Sequence, residues 1–551
     1  MKEFTPMLVT TLKGYKPNML VKDIVAGIIV AIIALPLSIA LAIASGVGPE
    51  EGLYTAIIAG ALISIFGGSK VQISGPTAAF ATIVAGVVAA NGMEGLVIAT
   101  ILAGVFLVLM GIFKFGSLIK FIPYTITTGF TAGIAVTILI GQLKDFFGVN
   151  FGGKSPIEAP EKMAVFFENI STLNWWAVLV GTVSLLILVL WPKISKKIPA
   201  SLIAVIVGAV MVMLLPEGTG VQTIKSTFGE LNSNLPKLNF PKMDLSLIRT
   251  ILPDAFTIAI LAAIESLLSC VVADGMIGSK HRSNMELIAQ GIGNVGSALF
   301  GGIPATGAIA RTAANIDNGG KTPIAGIVHA IVLLLILVFL MPYAALIPMP
   351  TIAAILFQVA YNMSQWRPIV RLVKTAPKSD IFVMLLTFIL TVVFDLVVAI
   401  GIGLVLAAIL FMKRMSDETE VKGWIYEQAE DDSYKLADVP KAIRVFEISG
   451  PLFFGMTDRI ANITTKEYTK CLIIRMRSVP AVDATALNAL QDLFENCHKK
   501  GITVIISHLN EQPLNSFKKA GLYDKIGAEN FKLHIDEALE YAKSICEQLN
   551  S

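Results

Sequence analysis

Two charged residues stand deep inside apolar sequence: Glu265 in AILAAIESLLSCVVADG and Arg311 in GGIPATGAIARTAAN. A charge within a membrane-length apolar run is costly and by default marks an ion or proton pathway. Arg311 follows a break in the chain, where Gly301, Gly302 and Pro304 precede Thr306, Gly307 and Ala308. A second break of the same kind, QISGPTAAF, sets Gly75 and Pro76 before Thr77, Ala78 and Ala79. A helix that starts inside a membrane presents unpaired N–H groups and the positive end of its dipole. Two such starts facing each other make an anion site. Pro76 and Pro304 suit a first helical turn, where a missing N–H costs nothing. Ala78, Ala79, Gly307 and Ala308 leave the amides accessible, Thr77 and Thr306 would add hydroxyl donors, and Arg311 would add a full positive charge. Gly/Pro interruptions and small residues also serve kinks and close packing, and a Glu265–Arg311 ion pair would be purely structural. Ser266 and Ser269 lie within reach of Glu265 along its helix, and Ser38 follows a proline bend, LPLS, that either faces the site or is an ordinary kink. Asp274 and Asp317 read as caps or interfacial groups, His329 as a hydrogen-bonded packing residue, and Asp395 as a turn.

The elements that must position these residues follow from composition. The chain has 551 residues, 55% hydrophobic and 15% charged, with a mean hydropathy of +0.73; soluble domains run nearer 45–50% and about 25%. Apolar runs fill residues 24–412, the pattern of a polytopic helical membrane protein in contact with lipid. A net charge of +3 leaves no electrostatic footprint for nucleic acid. Cys270, Cys471, Cys497 and Cys546 have no metal or disulfide-framework spacing, so no metal or other cofactor is expected. No catalytic constellation marks an enzyme, and no signal-peptide pattern precedes the first apolar run.

The runs divide into fourteen segments. The third, 76–90, and the tenth, 305–316, are too short to span a bilayer, and each opens at its proline. Pro76 and Pro304 lie 228 residues apart, as do the starts of the first and eighth segments at 24 and 252. Two copies of a seven-span unit follow, and because seven is odd the second is inverted in the membrane. Inverted repeats with short, Gly/Pro-broken segments at matching positions point to a transport site near the midplane. If the lysine-rich start (Lys2, Lys13, Lys16, Lys22) is cytoplasmic, six loops on that side carry lysine and arginine, among them Lys114, Lys120, Lys193, Lys196, Lys197 and Arg371. Short opposite loops such as VGPEEG and NGMEG carry none. The positive-inside rule therefore favours fourteen spans with both ends cytoplasmic, in the plasma (inner) membrane.

These residues resemble the SulP family, solute carrier family 26. The matching stretches are SGPTAAF at 74–80, AAIESLLSCVVADGMIG at 262–278, ELIAQGIGN at 286–294 and IARTAAN at 309–315. Within the family, LPLSIALAIASG, LIKFIPYTITTGFTAGI and KHRSNMEL are most similar to bacterial C4-dicarboxylic acid transporters. The resemblance implies a core of spans one to four and eight to eleven, a gate of spans five to seven and twelve to fourteen, an elevator-like motion between them, and a homodimer. It places anion contacts on Thr77, Ala78, Thr306, Gly307 and Ala308 and the coupling carboxylate on Glu265. Sodium-using bicarbonate transporters of the family have Asp there with Thr four residues on. Glu265 and Ser269 depart from that pattern, which favours a proton over sodium.

The expected organisation is a cytoplasmic segment 1–23, a transporter domain 24–413, a linker 414–440 and an α/β domain 441–551. The last begins AIRVFEIS and CLIIRMR, then a helix near 484–500 and TVIISHL, strands and helices alternating. Its loop SVPAVDATALNAL resembles the STAS domain, whose Asp-Ser/Thr-Gly loop presents a phosphorylatable hydroxyl. Here Asp483 and Thr485 match and Ala486 replaces the glycine, so Asp483 also reads as a plain helix cap. The expected function is secondary active anion transport, as proton symport of a dicarboxylate (succinate, fumarate) or sulfate. The alternatives are an anion exchanger or a bicarbonate or chloride transporter on the same scaffold, and a membrane-anchored STAS signalling protein.

Overall fold

Pro17 opens the first long helix seven residues ahead of the apolar run, because proline at N1 is preorganised for a helix and Lys16 before it is already extended. The computed structural model describes residues 2–117, 123–153, 156, 158–195, 198–216, 218–231, 233–241, 245–394, 396–423, 439–461 and 463–548. Lys120, Lys196, Lys197, Asp395 and most of the expected linker lie outside the described residues. The chain forms two compact units, Met1–Leu404 and Val405–Ser551.

Helices of the first part are α1 (Met7–Leu12), α2 (Pro17–Ala44), α3 (Pro49–Phe66), α4 (Ala81–Ile112), α5 (Tyr124–Phe147), α6 (Ala159–Glu168), α7 (Trp175–Ile194), α8 (Ala200–Leu214) and α9 (Ile224–Phe228). After them come α10 (Leu245–Ile277), α11 (Ser283–Leu299), α12 (Ile309–Asp317), α13 (Ile324–Ala344), α14 (Met349–Met363), α15 (Trp366–Thr375), α16 (Lys378–Val393) and α17 (Leu396–Glu418). Two short strands, β1 (Ser74–Gly75) and β2 (Thr306–Gly307), precede α4 and α12. Among the described residues eight helices are long and apolar enough to cross a membrane. The others are shorter or less apolar, α12 being nine residues long. α4 is two helices joined at Gly92, whose φ of 67° and ψ of −173° no helix admits. That kink falls between the third and fourth expected segments.

Packing sorts the helices into two groups. α11 lies against α3 and α4, α10 against α4 and α12, and α13 against α2 and α3. α14 lies against α5 and α7, α16 against α5, and α7 against α8. The 1–23 segment is not plain coil: α1 and the first residues of α2 occupy it. Met7 N–H donates to Gly67 O at 2.7 Å, and Arg282 Nη1 donates to Thr5 O at 2.6 Å.

The second unit holds a five-stranded sheet. Strands β3 (Glu420–Gly423) and β4 (Ile443–Ser449) are antiparallel, and β4, β5 (Cys471–Ser478), β6 (Thr503–Ser507) and β7 (Phe531–Lys532) follow in parallel order. Its helices are α18 (Thr457–Ala461), α19 (Ala484–Lys499), α20 (Glu511–Lys519), α21 (Leu522–Ile526) and α22 (Ile535–Gln548). Both faces of the central strands are covered, so they read as continuous apolar runs. Leu472 and Ile474 face Leu490, Phe494 and Phe517, while Cys471 and Ile473 face Ala538 and Ala542. The expected linker begins with structure: α17 continues to Glu418, and β3 adds an edge strand that a short polar stretch does not announce.

Candidate functional site

The two breaks in the apolar sequence meet. β1 and β2 pair antiparallel, Ser74 opposite Gly307 and Gly75 opposite Thr306. Ala308 N–H extends the ladder to Ile73 O at 2.9 Å. The chain then leaves the ladder at opposite ends, into a 3₁₀ turn Ala78–Phe80 leading to α4 on one side and into α12 on the other. The positive ends of the two short helices therefore flank one crossing.

Pro76 and Pro304 do not occupy first helical turns. α4 begins at Ala81 and α12 at Ile309. Proline biases the residue before it towards extended backbone, so Gly75 and Ile303 stay extended and the prolines lie in the approaches. Neither helix start is capped by a side chain: Thr77 before the 3₁₀ turn, Phe80 before α4 and Ala308 before α12 make no capping hydrogen bond. Ala78 and Ala79 are buried, and Thr306, Gly307 and Ala308 are buried beside them.

The two threonine hydroxyls are not free donors towards the crossing. Thr77 Oγ1 donates to Glu265 Oε2 at 2.9 Å. Thr306 Oγ1 lies 2.6 Å from Ser266 Oγ and 3.2 Å from Ala262 O. Ser266 Oγ also accepts from Gly307 N–H at 3.0 Å. One face of α10 thus takes up both hydroxyls and the Gly307 amide, which leaves the amides of the two helix starts as the donors beside the crossing. Glu265 is half-buried beside Thr77, and Ser269 Oγ points instead to Thr312 Oγ1, at 3.4 Å.

Arg311 is 3% exposed, and its Nη2 donates to Pro76 O. It ties α12 to the facing approach, and Gly75 gives it room: a Cβ there would come within 2.5 Å of Arg311 Nη1 and push the guanidinium aside. Thr312 Oγ1 accepts from Ile73 N–H at 3.0 Å and Asn315 Nδ2 donates to Val71 O at 2.8 Å, so one face of α12 grips residues 71–76. No ion pair joins Glu265 to Arg311 among the described residues; the carboxylate and the guanidinium each have a partner from the first break instead. Ser38 is buried, its carbonyl packed on Gly52 of α3, and its hydroxyl bonds neither approach. His329 is fully buried, as a packing residue, but neither ring nitrogen has the expected hydrogen-bond partner. Asp274 is a cap, accepting from Ser279 Oγ and from His281 N–H at 2.7 Å each.

In the second unit Asp483 caps α19. Its Oδ1 accepts from Ala486 N–H at 2.8 Å and its Oδ2 from Phe454 N–H at 2.9 Å. Thr485 is exposed and lines a groove of about 840 Å³ with Thr457, Asp458, Asn488, Asp492 and Lys500.

Sequence reasoning missed Gln72, Glu286, Gln290 and Asn294, all buried at the crossing. The signal was present: Glu286, Gln290 and Asn294 recur every four residues in ELIAQGIGN, a buried polar stripe on one helix face.

Residues 20–387 match the sulfate permease family, and residues 434–538 match the STAS domain. The chain is 41% identical to the putative sulfate transporter YvdB of Bacillus subtilis, over 95% of this chain and 98% of that one. It is 32% identical to the bicarbonate transporter BicA of Picosynechococcus sp., over 94% of each. Its fold is that of the murine solute carrier 26 family member A9 anion transporter in the inward-facing state, with a TM-score of 0.87 at 18% identity, covering 98% of this chain and 94% of that one. The chain is a multi-pass membrane protein of the sulfate permease family, an anion transporter and not an enzyme, with a STAS domain in its C-terminal part.

Proposed function

We propose that the protein is a proton-coupled anion symporter that holds its substrate at the crossing of β1 and β2. The observation that carries this reading is the pairing of Ser74–Gly75 with Thr306–Gly307, which sets two uncapped helix starts on one spot beside a carboxylate. The anion is held by the amides of Ala78 and Ala79 and by those at the start of α12, the Gly307 and Ala308 N–H groups being taken by Ser266 Oγ and Ile73 O, with Arg311 in the first turn of α12 supplying net positive charge. Thr77 and Thr306 shape the site through their bonds to α10, and Ser38 lines it only if α2 shifts.

Glu265 is the proton carrier. Its hydrogen-bond partner is a neutral hydroxyl, so taking up a proton breaks no ion pair. A proton moving with a divalent anion also lowers the charge carried across the bilayer. Ser269, turned towards Thr312, does not complete a sodium site with Glu265. The relatives named above are a putative sulfate and a bicarbonate transporter, so sulfate leads among the substrates, with bicarbonate next and a C4-dicarboxylate after them. Fourteen passes in two inverted seven-span repeats, both ends cytoplasmic, complete the reading. The group of α2–α4 and α10–α13 moves as a core against the gate of α5, α7, α8, α14, α16 and α17, in a homodimer. In the STAS domain Asp483 serves as a cap, and Thr485 offers an exposed hydroxyl for modification.

Uptake into liposomes holding the purified protein tests the reading. Labelled sulfate, bicarbonate, succinate and fumarate are each supplied with an inward proton gradient, an inward sodium gradient, or neither. Gradient-driven uptake of one anion by protons alone is the expected result. Uptake that ignores both gradients and depends on an anion inside identifies an exchanger and removes the proton from the mechanism.

A further inference from the structure

The ladder that forms the crossing is two residues long on each strand, and even a full isolated two-stranded hairpin is marginally stable at best in water. Something else holds it in register. α11 lies across both approaches, and four of its buried polar residues, Glu286, Gln290, Asn294 and Ser297, fall within an arc of about 80° over roughly 16 Å of helix.

Each binds a different point of the two approaches. Glu286 Oε2 accepts from Gly68 N–H at 2.8 Å and Ser69 N–H at 3.2 Å. Its Oε1 accepts from Gln72 Nε2 at 2.7 Å and from Gln290 Nε2 at 2.8 Å. Four donors on two oxygens, none of them a cation, satisfy a carboxylate without an ion pair. Cys270 Sγ donates to Gln72 Oε1 at 2.8 Å, which fixes the Gln72 amide from the α10 side. That amide lies against Gly307, where any Cβ would collide with it. Gln290 Nε2 also reaches Ser74 Oγ at 3.2 Å, and Ser74 is the strand partner of Gly307. On the second approach Asn294 treats Ala305 as a strand would: its Oδ1 accepts from Ala305 N–H at 2.8 Å and its Nδ2 donates to Ala305 O at 2.9 Å. Ser297 Oγ donates to Ile303 O at 2.7 Å.

We propose that Glu286, Gln290 and Asn294 of α11 are positioning residues for the anion site, a rack that sets the register of the β1–β2 pair and thereby the spacing of the two helix starts. The proposal rests on the reading that the anion binds at this crossing. Loss of the rack lets the ladder slip, and a site built from backbone amides loses its geometry before the fold is lost. The rack acts on affinity and on the order of the approaches, whereas an apolar residue of the same helix acts on stability alone.

The test uses the full-length protein in liposomes, with whichever of sulfate and bicarbonate the wild-type protein takes up as the probe. Asn294→Ala and Gln290→Ala are compared with Leu287→Ala, a fully buried apolar residue of α11, and with Arg311→Ala as a variant of the site itself. Expected are a rise in KM of about tenfold for Asn294→Ala and Gln290→Ala, no change in KM for Leu287→Ala, and faster amide exchange over 303–308 in Asn294→Ala alone. A variant that does not fold is replaced by Asn294→Ser or Gln290→Asn, for which a smaller KM rise is expected, with faster exchange over 303–308 in Asn294→Ser alone. KM values within twofold of wild type, with Arg311→Ala still raising KM, overturn the rack and leave the site reading standing. KM unchanged in Arg311→Ala as well overturns the site reading, and the rack with it. An equal KM rise in Leu287→Ala also overturns the rack, since packing loss alone then accounts for the effect.

Discussion

At the residue scale, the proposed mechanism divides the work between two charges. Glu265→Gln keeps an acceptor for the Thr77 hydroxyl and removes the titratable group. Uptake in this variant is expected to lose its dependence on an imposed proton gradient while anion binding persists, as measured by gradient-driven uptake beside equilibrium binding. Gradient-dependent uptake that survives unchanged assigns the proton to another group. Arg311→Ala removes a buried guanidinium and its bond to Pro76 O. A charge-assisted hydrogen bond is worth about 1.5–3 kcal/mol, so anion affinity is expected to fall roughly 10- to 100-fold by the arithmetic of 1.4 kcal/mol per decade; isothermal titration with sulfate reads it. Away from the membrane, the Cys471 thiol is pushed up to about 12 by burial and by Cys546 beside it. A thiol whose pKa lies that far above its ordinary value holds almost no thiolate at pH 8. Iodoacetamide at pH 8 is therefore expected to leave Cys471 unmodified in the folded protein and to label it after denaturation, as read by peptide mass spectrometry.

At the element scale, the third and tenth segments are short for a physical reason: each spends its first residues in an extended approach that has to find hydrogen-bond partners inside a low-dielectric interior. α12 meets that need with Arg311, Thr312 and Asn315, and α11 meets it with its polar stripe. Gly92 ends the first half of α4 in the left-handed region. Gly92→Ala forces an L side chain into a φ, ψ region essentially open only to glycine, at a cost of about 1–3 kcal/mol, and a lower thermal midpoint with little change in KM is expected, since Gly92 has no neighbouring atom that a Cβ would strike. The positions and shortness of the broken segments were legible in the glycines and prolines. The exact helix starts were not, because a proline marks a break equally well whether it lies in the first turn or in the strand before it.

At the scale of the whole molecule, the positive-inside pattern and the two repeats make a topological claim. With fourteen spans, the lysine-rich start and the STAS domain lie on the same face of the membrane. Protease added to inside-out vesicles is expected to cut both the Lys13–Lys22 stretch and the STAS domain, as at the exposed Lys499 and Lys500, and protease added to right-side-out vesicles to cut neither. Cleavage of the two from opposite faces removes the even span count and the inverted repeat with it.

The apolar runs, the charge bias of the loops, the two breaks and the βαβ order of the C-terminal part are all local or periodic features, so the chain itself determined them; hydrophobic period and helix breakers act within a few residues of where they are written. Which groups meet was decided only by the tertiary structure. Thr77 and Glu265 are 188 residues apart, and Gly68 and Glu286 are 218 apart; no local pattern says that they bond. Both threonines were legible as donors, yet the fold turns them towards α10, because a buried hydroxyl takes the nearest acceptor that packing supplies. Arg311 and Glu265 were legible as costly charges, and opposite sign suggested a pair. Folding gave each a partner from the first break instead, since the crossing of two extended segments brings a carbonyl and a hydroxyl nearer to them than they are to each other.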